Sequence, residues 1–278
     1  MIPIKDDRPT LHPPVLTILF IALNVLAFLW QSSGTVIQQS GRLFRFASVP
    51  YNVTHSSGEA VMLIDGVVGE HRCGVAEDPD ALADLDPRVE VVRQSIAPWL
   101  TLFTSMFMHG GWMHLIGNMV FLWIFGNNVE DAMGRPRFLI FYLLCGLAAS
   151  AAHIGFESGS PIPCVGASGA ISGVLGGYLL LYPSARILTL IPLGFYTQLV
   201  SIPALVFLPF WFLQQVFGVL AGAAGGVAWW AHIGGFVLGL ALIKVFESRE
   251  HRERAPIAAG GFRHRRVAPR GYRRPWDP

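Results

Sequence analysis

Ser168 stands between Gly166 and Gly169 at the head of an apolar run that continues to Leu181, behind a loop punctuated by Pro161 and Pro163. Glycines on either side let a substrate backbone come close, and the free N–H groups of a first helical turn can stabilise an anion. A serine hydroxyl is a poor nucleophile until an imidazole can take its proton. His232, in Ala231-His232-Ile233-Gly234-Gly235, is the candidate base. The usual third member, a carboxylate, is missing, because no Asp or Glu occurs between Glu157 and Glu247. A buried anion beside the pair would cost several kcal/mol in an apolar medium, so a Ser–His dyad is the arrangement to expect. His114 and Asn118 are four residues apart and stack on one helical face, about 6 Å apart along the axis. The Asn118 amide, a ring N–H of His114 and the Ser168 backbone N–H are the candidate oxyanion donors.

Each signal has a plainer use. Small residues such as those around Ser168 let membrane helices approach one another, and a lone buried His or Asn can bond a neighbouring helix. A zinc site from His109, His114 and His232 would lack both a His-Glu-x-x-His helix and a nearby carboxylate, so neither metal nor cofactor is expected. His109, five residues before His114, does not share its helical face and is read as shaping the helix entry. His153 is read as structural.

The elements that must hold these groups are apolar. The chain has 278 residues, 53% hydrophobic and 14% charged, against about 25% charge in soluble domains. From Trp99 to Ile243 the charged residues are Glu130, Asp131, Arg135, Arg137, Glu157 and Arg186. That pattern predicts an all-α polytopic membrane protein, a six-helix bundle with one sizeable outer loop between spans 1 and 2. The spans are read at Val15–Trp30, Met113–Asn127, Phe138–Phe156, Ser168–Tyr182, Ile202–Phe217 and Val227–Phe246. Several fall short of the ~20 residues that cross a bilayer, so some helices start below its surface or tilt. The first is read as a retained span rather than a signal peptide, since no small-x-small site follows its apolar run. The corresponding layout is a polar amino-terminal segment (1–13), a membrane domain (14–246) and a basic tail (247–278). Within the membrane domain, residues 32–98 form a water-soluble region with nine acids against five arginines. Val61–Val68 reads there as a short β-hairpin around Asp65-Gly66, and the acidic run from Glu77 to Asp86 as a solvated face.

With six spans both termini share a side. Lys5, Arg8, Arg135, Arg137, Arg186 and the tail fall together, whereas the loops around Glu157 and Ala224 hold no Lys or Arg. The positive-inside rule makes that side cytoplasmic and puts residues 32–98 outside, in a multi-pass protein expected in a bacterial cytoplasmic membrane. The arginines of the tail (Arg263, Arg265, Arg266, Arg270, Arg273, Arg274) are topogenic and suited to lipid headgroups, and no nucleic-acid partner is expected. Spans two, four and six then run inwards. His114, Asn118, Ser168 and His232 share one depth near their outer ends, about 8 Å below the surface for His232. Polar groups buried there are costly unless they pair or act.

The segments His109-x4-His114-x3-Asn118, Gly166-Ala167-Ser168-Gly169 and Ala231-His232-x2-Gly235-x3-Gly239, with the order of the six spans, resemble those of the rhomboid intramembrane serine proteases over roughly residues 15–246. The resemblance implies Ser168 as nucleophile, His232 as base, and His114 and Asn118 in the oxyanion hole. It also implies cleavage of other membrane proteins in or near their transmembrane segments, next to a small residue, without metal or cofactor. It further implies that the aromatic fifth span, with Pro203 and Pro209, and the loop Gly218 to Gly226 can move to admit a substrate helix. Taken alone, that span reads equally as lipid-facing bulk with proline kinks.

Two departures stand out. Trp99-Leu100-Thr101 replaces a Trp-Arg pair common in the first outer loop. Ser172 occupies the position where some members place a Tyr that packs on the catalytic imidazole, which leaves open what orients the His232 ring. Two other functions remain open. A non-catalytic relative that grips transmembrane segments should have lost Ser168 or His232, and both are present. A transporter should show two similar halves and a polar site at the midplane, and the chain shows neither. Cys145 reads as core, while Cys73 and Cys164 both fall outside, where a disulfide is permitted.

Overall fold

The computed structural model describes residues 1–66, 69–77, 82, 85–193, 196–222 and 226–253. Its centre is a bundle of apolar helices. Helix α1 (Val15–Gln31) leads to an outlying region built from α2 (Val36–Phe46), α3 (Pro50–Thr54) and strands β2 (Glu59–Asp65), β3 (His71–Ala76) and β4 (Val89–Val92). A short α4 (Pro98–Thr104) returns to the bundle. There follow α5 (Trp112–Phe121), a stretch of π-helix over Leu122–Gly126, α6 (Asn127–Met133), α7 (Arg135–Phe156) and α8 (Ser168–Leu181). Strands β5 (Arg186–Leu193) and β6 (Tyr196–Pro203) precede α9 (Ala204–Leu220) and α10 (Trp229–Phe246).

Helix α8 is the axis of the bundle. Every residue from Gly169 to Tyr178 is buried, which suits a helix that is apolar on all sides. Its glycines let α10 lie directly on it: a Cβ built on Gly239 would fall 2.0 Å from the carbonyl oxygen of Gly173. By length and composition α7 and α10 can cross a bilayer, and α1, α8 and α9 are shorter apolar helices. Leu23, Leu26 and Leu29 of α1, and Leu205, Phe210, Leu213 and Phe217 of α9, are exposed, as hydrocarbon-facing positions should be. The free N–H groups that begin α1 are taken by a side chain from α6. Buried Glu130 accepts from the backbone of Leu16 (2.9 Å) and Thr17 (2.7 Å) and from the Thr17 hydroxyl (2.8 Å).

The expectation of an all-α fold is corrected by two three-stranded antiparallel sheets. One has the order β1-β5-β6, where β1 is Ile2–Asp6, and it pairs Ile2 with Leu190 and Ile187 with Ile202. Short alternating stretches such as Ile2-Pro-Ile-Lys and Thr197-Gln-Leu-Val look like polar tails and connectors until a partner strand is supplied. Ile202 and Pro203 consequently end a strand, and α9 begins at Ala204 rather than Ile202. Asp6 is drawn into this corner, accepting from Asn128 Nδ2 (2.8 Å) and from the hydroxyl of Tyr178.

The second sheet, ordered β3-β2-β4, lies in the 32–98 region and shares a core of Phe44, Val49, Ala60, Met62, Ile64 and Val92 with α2. The hairpin is present but wider than the sequence implies. Asp65 N–H reaches Glu70 carbonyl (2.8 Å), Gly69 adopts φ +73°, and the return strand starts at His71. Val67 and Val68, the acidic residues Asp78, Asp80 and Asp84, and the arginine-rich tail lie outside the described residues. This region is laced to the loop before α8. Ser48 and Cys164 exchange backbone hydrogen bonds of 3.1 and 2.7 Å, and Tyr51 N–H donates to Ser160 carbonyl at 3.0 Å. Cys73 and Cys164 are free thiols, and burial pushes the Cys164 thiol up to about 12.

Candidate active site

Ser168 is the first residue of α8, where the loop from Glu157 turns into helix. Gly166, at φ +118°, lies in a region that side-chain-bearing residues rarely enter. A side chain there would also collide with the site, because its Cβ would fall 2.7 Å from His114 Nε2 and 3.4 Å from Asn118 Nδ2. His232 lies in the first turn of α10, and its Nε2 is 2.8 Å from Ser168 Oγ. The close α8–α10 packing sets this distance: Gly235, three residues after His232, faces the carbonyl of Gly169, the residue after Ser168.

Two donors from α5 converge on the same spot. Gly110 N–H reaches His114 Nδ1 at 3.3 Å, so that nitrogen accepts and Nε2 carries the proton, next to Gly166. Asn118 is 7% exposed, and its Nδ2 has no hydrogen-bond partner among the described residues. An unpartnered buried amide costs free energy unless something arrives to accept from it. A hydroxyl facing an imidazole nitrogen, with spare donors beside it, is the arrangement that acyl transfer requires. The groups border an open cleft of about 1630 Å³, lined also by Trp211, Trp229 and Trp230, and by Gln39, Leu43 and His71 of the outlying region.

The other sequence-designated residues fall as follows. His109 is fully buried just before α5, and its backbone clamps the Gln31 amide through hydrogen bonds of 2.6 and 3.0 Å. Its ring meets that of His114 edge-on, with centroids 5.1 Å apart. His153 lines the cleft without reaching the dyad by a described bond. Ser172 donates to the Ser168 carbonyl at 2.6 Å rather than to His232. Support for the imidazole comes from a residue that sequence reasoning missed: Gln215 of α9, whose Oε1 is 2.8 Å from His232 Nδ1. The available signal was an adjacent pair of amides, Gln214 and Gln215, in an otherwise apolar helix. The pair alone does not say which faces inward; Gln215 is buried and Gln214 exposed.

Residues 97–249 match the family model of the Rhomboid domain. The chain is 42% identical to rhomboid protease GluP of Bacillus subtilis over 96 residues, which is 34% of this chain and 18% of that protein. It is 24% identical over 234 residues to the mitochondrial rhomboid protein 1 of Saccharomyces cerevisiae, covering 82% of this chain and 62% of the relative. Over 83 residues it is 36% identical to the putative rhomboid protease YdcA of Bacillus subtilis, covering 29% of this chain and 40% of the relative. The chain thus spans less than two thirds of the length of each of these relatives.

Proposed function

The chain belongs to the rhomboid family and is an integral membrane protein, and from that premise we propose that it is a serine endopeptidase cleaving membrane proteins in or near their transmembrane segments. The observation that carries this reading is the 2.8 Å contact between Ser168 Oγ and His232 Nε2 beside Asn118 Nδ2, which has no partner among the described residues. Ser168 Oγ attacks the scissile carbonyl as His232 Nε2 takes its proton. The imidazolium returns that proton to the leaving amine, and water from the cleft then hydrolyses the acyl-enzyme by the same route. Negative charge on the tetrahedral oxygen falls to the Asn118 amide, His114 Nε2–H and the Ser168 N–H, each donor worth ~3 kcal/mol. Every step as written uses groups of the chain and water.

Charge supports an orientation. Lys5, Arg8, Arg135, Arg137 and Arg186 gather at the end of the bundle away from Ser168, where Arg186 N–H bonds Asp7 at 2.9 Å. We place that end, and both termini, in the cytoplasm, with the cleft opening outside. We place the chain in a bacterial cytoplasmic membrane; two relatives are from Bacillus subtilis, and that of Saccharomyces cerevisiae is mitochondrial. The test is cleavage of a tagged single-span substrate in liposomes, wild type beside Ser168→Ala and His232→Ala. Both variants should be folded and inactive, and a Ser168→Ala protein that cleaves near the wild-type rate refutes the mechanism.

A further inference from the structure

We propose that Gln215 is the positioning residue for His232, a neutral amide standing where a hydrolytic triad has a carboxylate; this rests on the Ser168–His232 reading above. The amide is held in one sense. Its Nε2 donates to the Trp211 carbonyl, one turn back along α9, at 2.8 Å. Rotating the amide by half a turn would set two acceptor oxygens against each other at that distance. Gln215 Oε1 therefore faces His232 Nδ1, and a carbonyl oxygen only accepts. Nδ1 must carry the ring proton, which leaves the lone pair of Nε2 towards Ser168 Oγ. The opposite tautomer would present an N–H to the serine and could not receive its proton.

Gln215 is 5% exposed, so water competes poorly for either end of its amide. The rings of Trp211 and Trp229 flank His232 with centroids at 5.8 and 6.5 Å, and they restrict its tilt without choosing its tautomer. That choice falls to Gln215. Ser172, bonded to the Ser168 carbonyl, does not share it. An amide brings no net charge to the imidazolium, so its contribution is the tautomer and orientation of the ring and one hydrogen bond to Nδ1–H. Because the bond runs from α9 to α10, the base is set for reaction only while α9 lies against α10.

The test uses the whole chain of 278 residues in detergent, with the rate of Ser168 labelling by a fluorophosphonate and the kinetics of substrate cleavage read together. Gln215→Met keeps the side-chain length and removes the acceptor. Its labelling rate and kcat should both fall about ten- to a hundredfold with KM unchanged, beside a modest loss of thermal stability from the buried His232 Nδ1–H left unpaired. Gln215→Glu, protonated in this buried site so that its hydroxyl donates to the Trp211 carbonyl as the amide N–H does, keeps a carbonyl acceptor towards His232 Nδ1 and should stay within a few-fold of wild type. A Gln215→Met protein that labels at the wild-type rate overturns the inference. So does an equal loss in Met and Glu variants, or a loss confined to KM, since packing alone would produce either. A wild type that neither labels at Ser168 nor cleaves overturns this inference and the proposed function together. Normal labelling in wild type and Gln215→Met alike overturns the inference only.

Discussion

Gly235→Ala puts the dyad's geometry to a direct test. A Cβ on Gly235 would fall 2.0 Å from the Gly169 carbonyl oxygen, and real Cβ contacts essentially never come under 3.0 Å. The obstacle is backbone, which has no rotamer to offer, so α10 must withdraw from α8 by about 1 Å. His232 rides on the same turn, and its 2.8 Å bond to Ser168 would open to about 3.8 Å, beyond hydrogen-bonding range. A displacement of that size costs about a hundredfold in rate, while the overpacking costs ~1–3 kcal/mol of stability. The assay is fluorophosphonate labelling of Ser168 beside a thermal melt of the same preparation. Gly155→Ala, whose added methyl meets nothing within 4 Å, serves as control and should leave both readings unchanged. If Gly235→Ala melts lower yet labels within threefold of wild type, backbone packing does not set the dyad spacing.

Three further outcomes are expected. Asn118→Ala and His114→Ala should each lower kcat by about two orders of magnitude with substrate affinity little changed, since the charge they meet exists only after attack. An Asn118→Ala enzyme that is less stable but turns over normally would assign the residue to helix packing instead. Chelators should leave cleavage unchanged; loss of activity that zinc restores would return the three histidines to consideration as ligands. Burial raises the Asp6 carboxyl above its ordinary value despite the Tyr178 hydrogen bond, so the folded state holds that proton more tightly than the unfolded chain. The stability this contributes is complete below the unfolded value near pH 4 and is lost as pH rises through the folded one. The melting temperature of Asp6→Asn, relative to wild type, should therefore climb from about pH 4 towards neutrality, and a difference that stays flat with pH refutes the assignment.

What could be read in advance follows from where the information resides. Long apolar runs such as Phe138–Phe156 announce helices by length alone. The 3.6-residue period places His114 and Asn118 on one face before any fold is known. A serine at a helix start with a histidine to take its proton, and then the resemblance to rhomboid proteases, singled out Ser168 and His232, which the fold brings to 2.8 Å. The sheet of β1, β5 and β6 was not legible, because a five-residue strand has no signature until its partner, far away in sequence, lies beside it. Gln215 escaped for a related reason. Its meaning depends on the rotation of α9 about its own axis, and an apolar helix with little amphipathic contrast does not reveal its inward face. The wide turn between Asp65 and His71 was hidden by an Asp-Gly pair that ordinarily marks a two-residue turn.

The pairing of Ile2 with Leu190 has a consequence in time. Ile2–Asp6 leaves the ribosome ahead of everything else described, yet the strand it needs follows α8. At about 5–20 residues per second, the interval is roughly 10–40 s. Throughout it the amino-terminal segment has no strand to join, while the apolar helices α1, α5, α7 and α8 are made. The sheet is thus a clasp that closes late, drawing the start of the chain against the approach to α9 once the body of the bundle exists. Premature capture of that segment by a nascent-chain factor would leave the inserted helices intact and the clasp open.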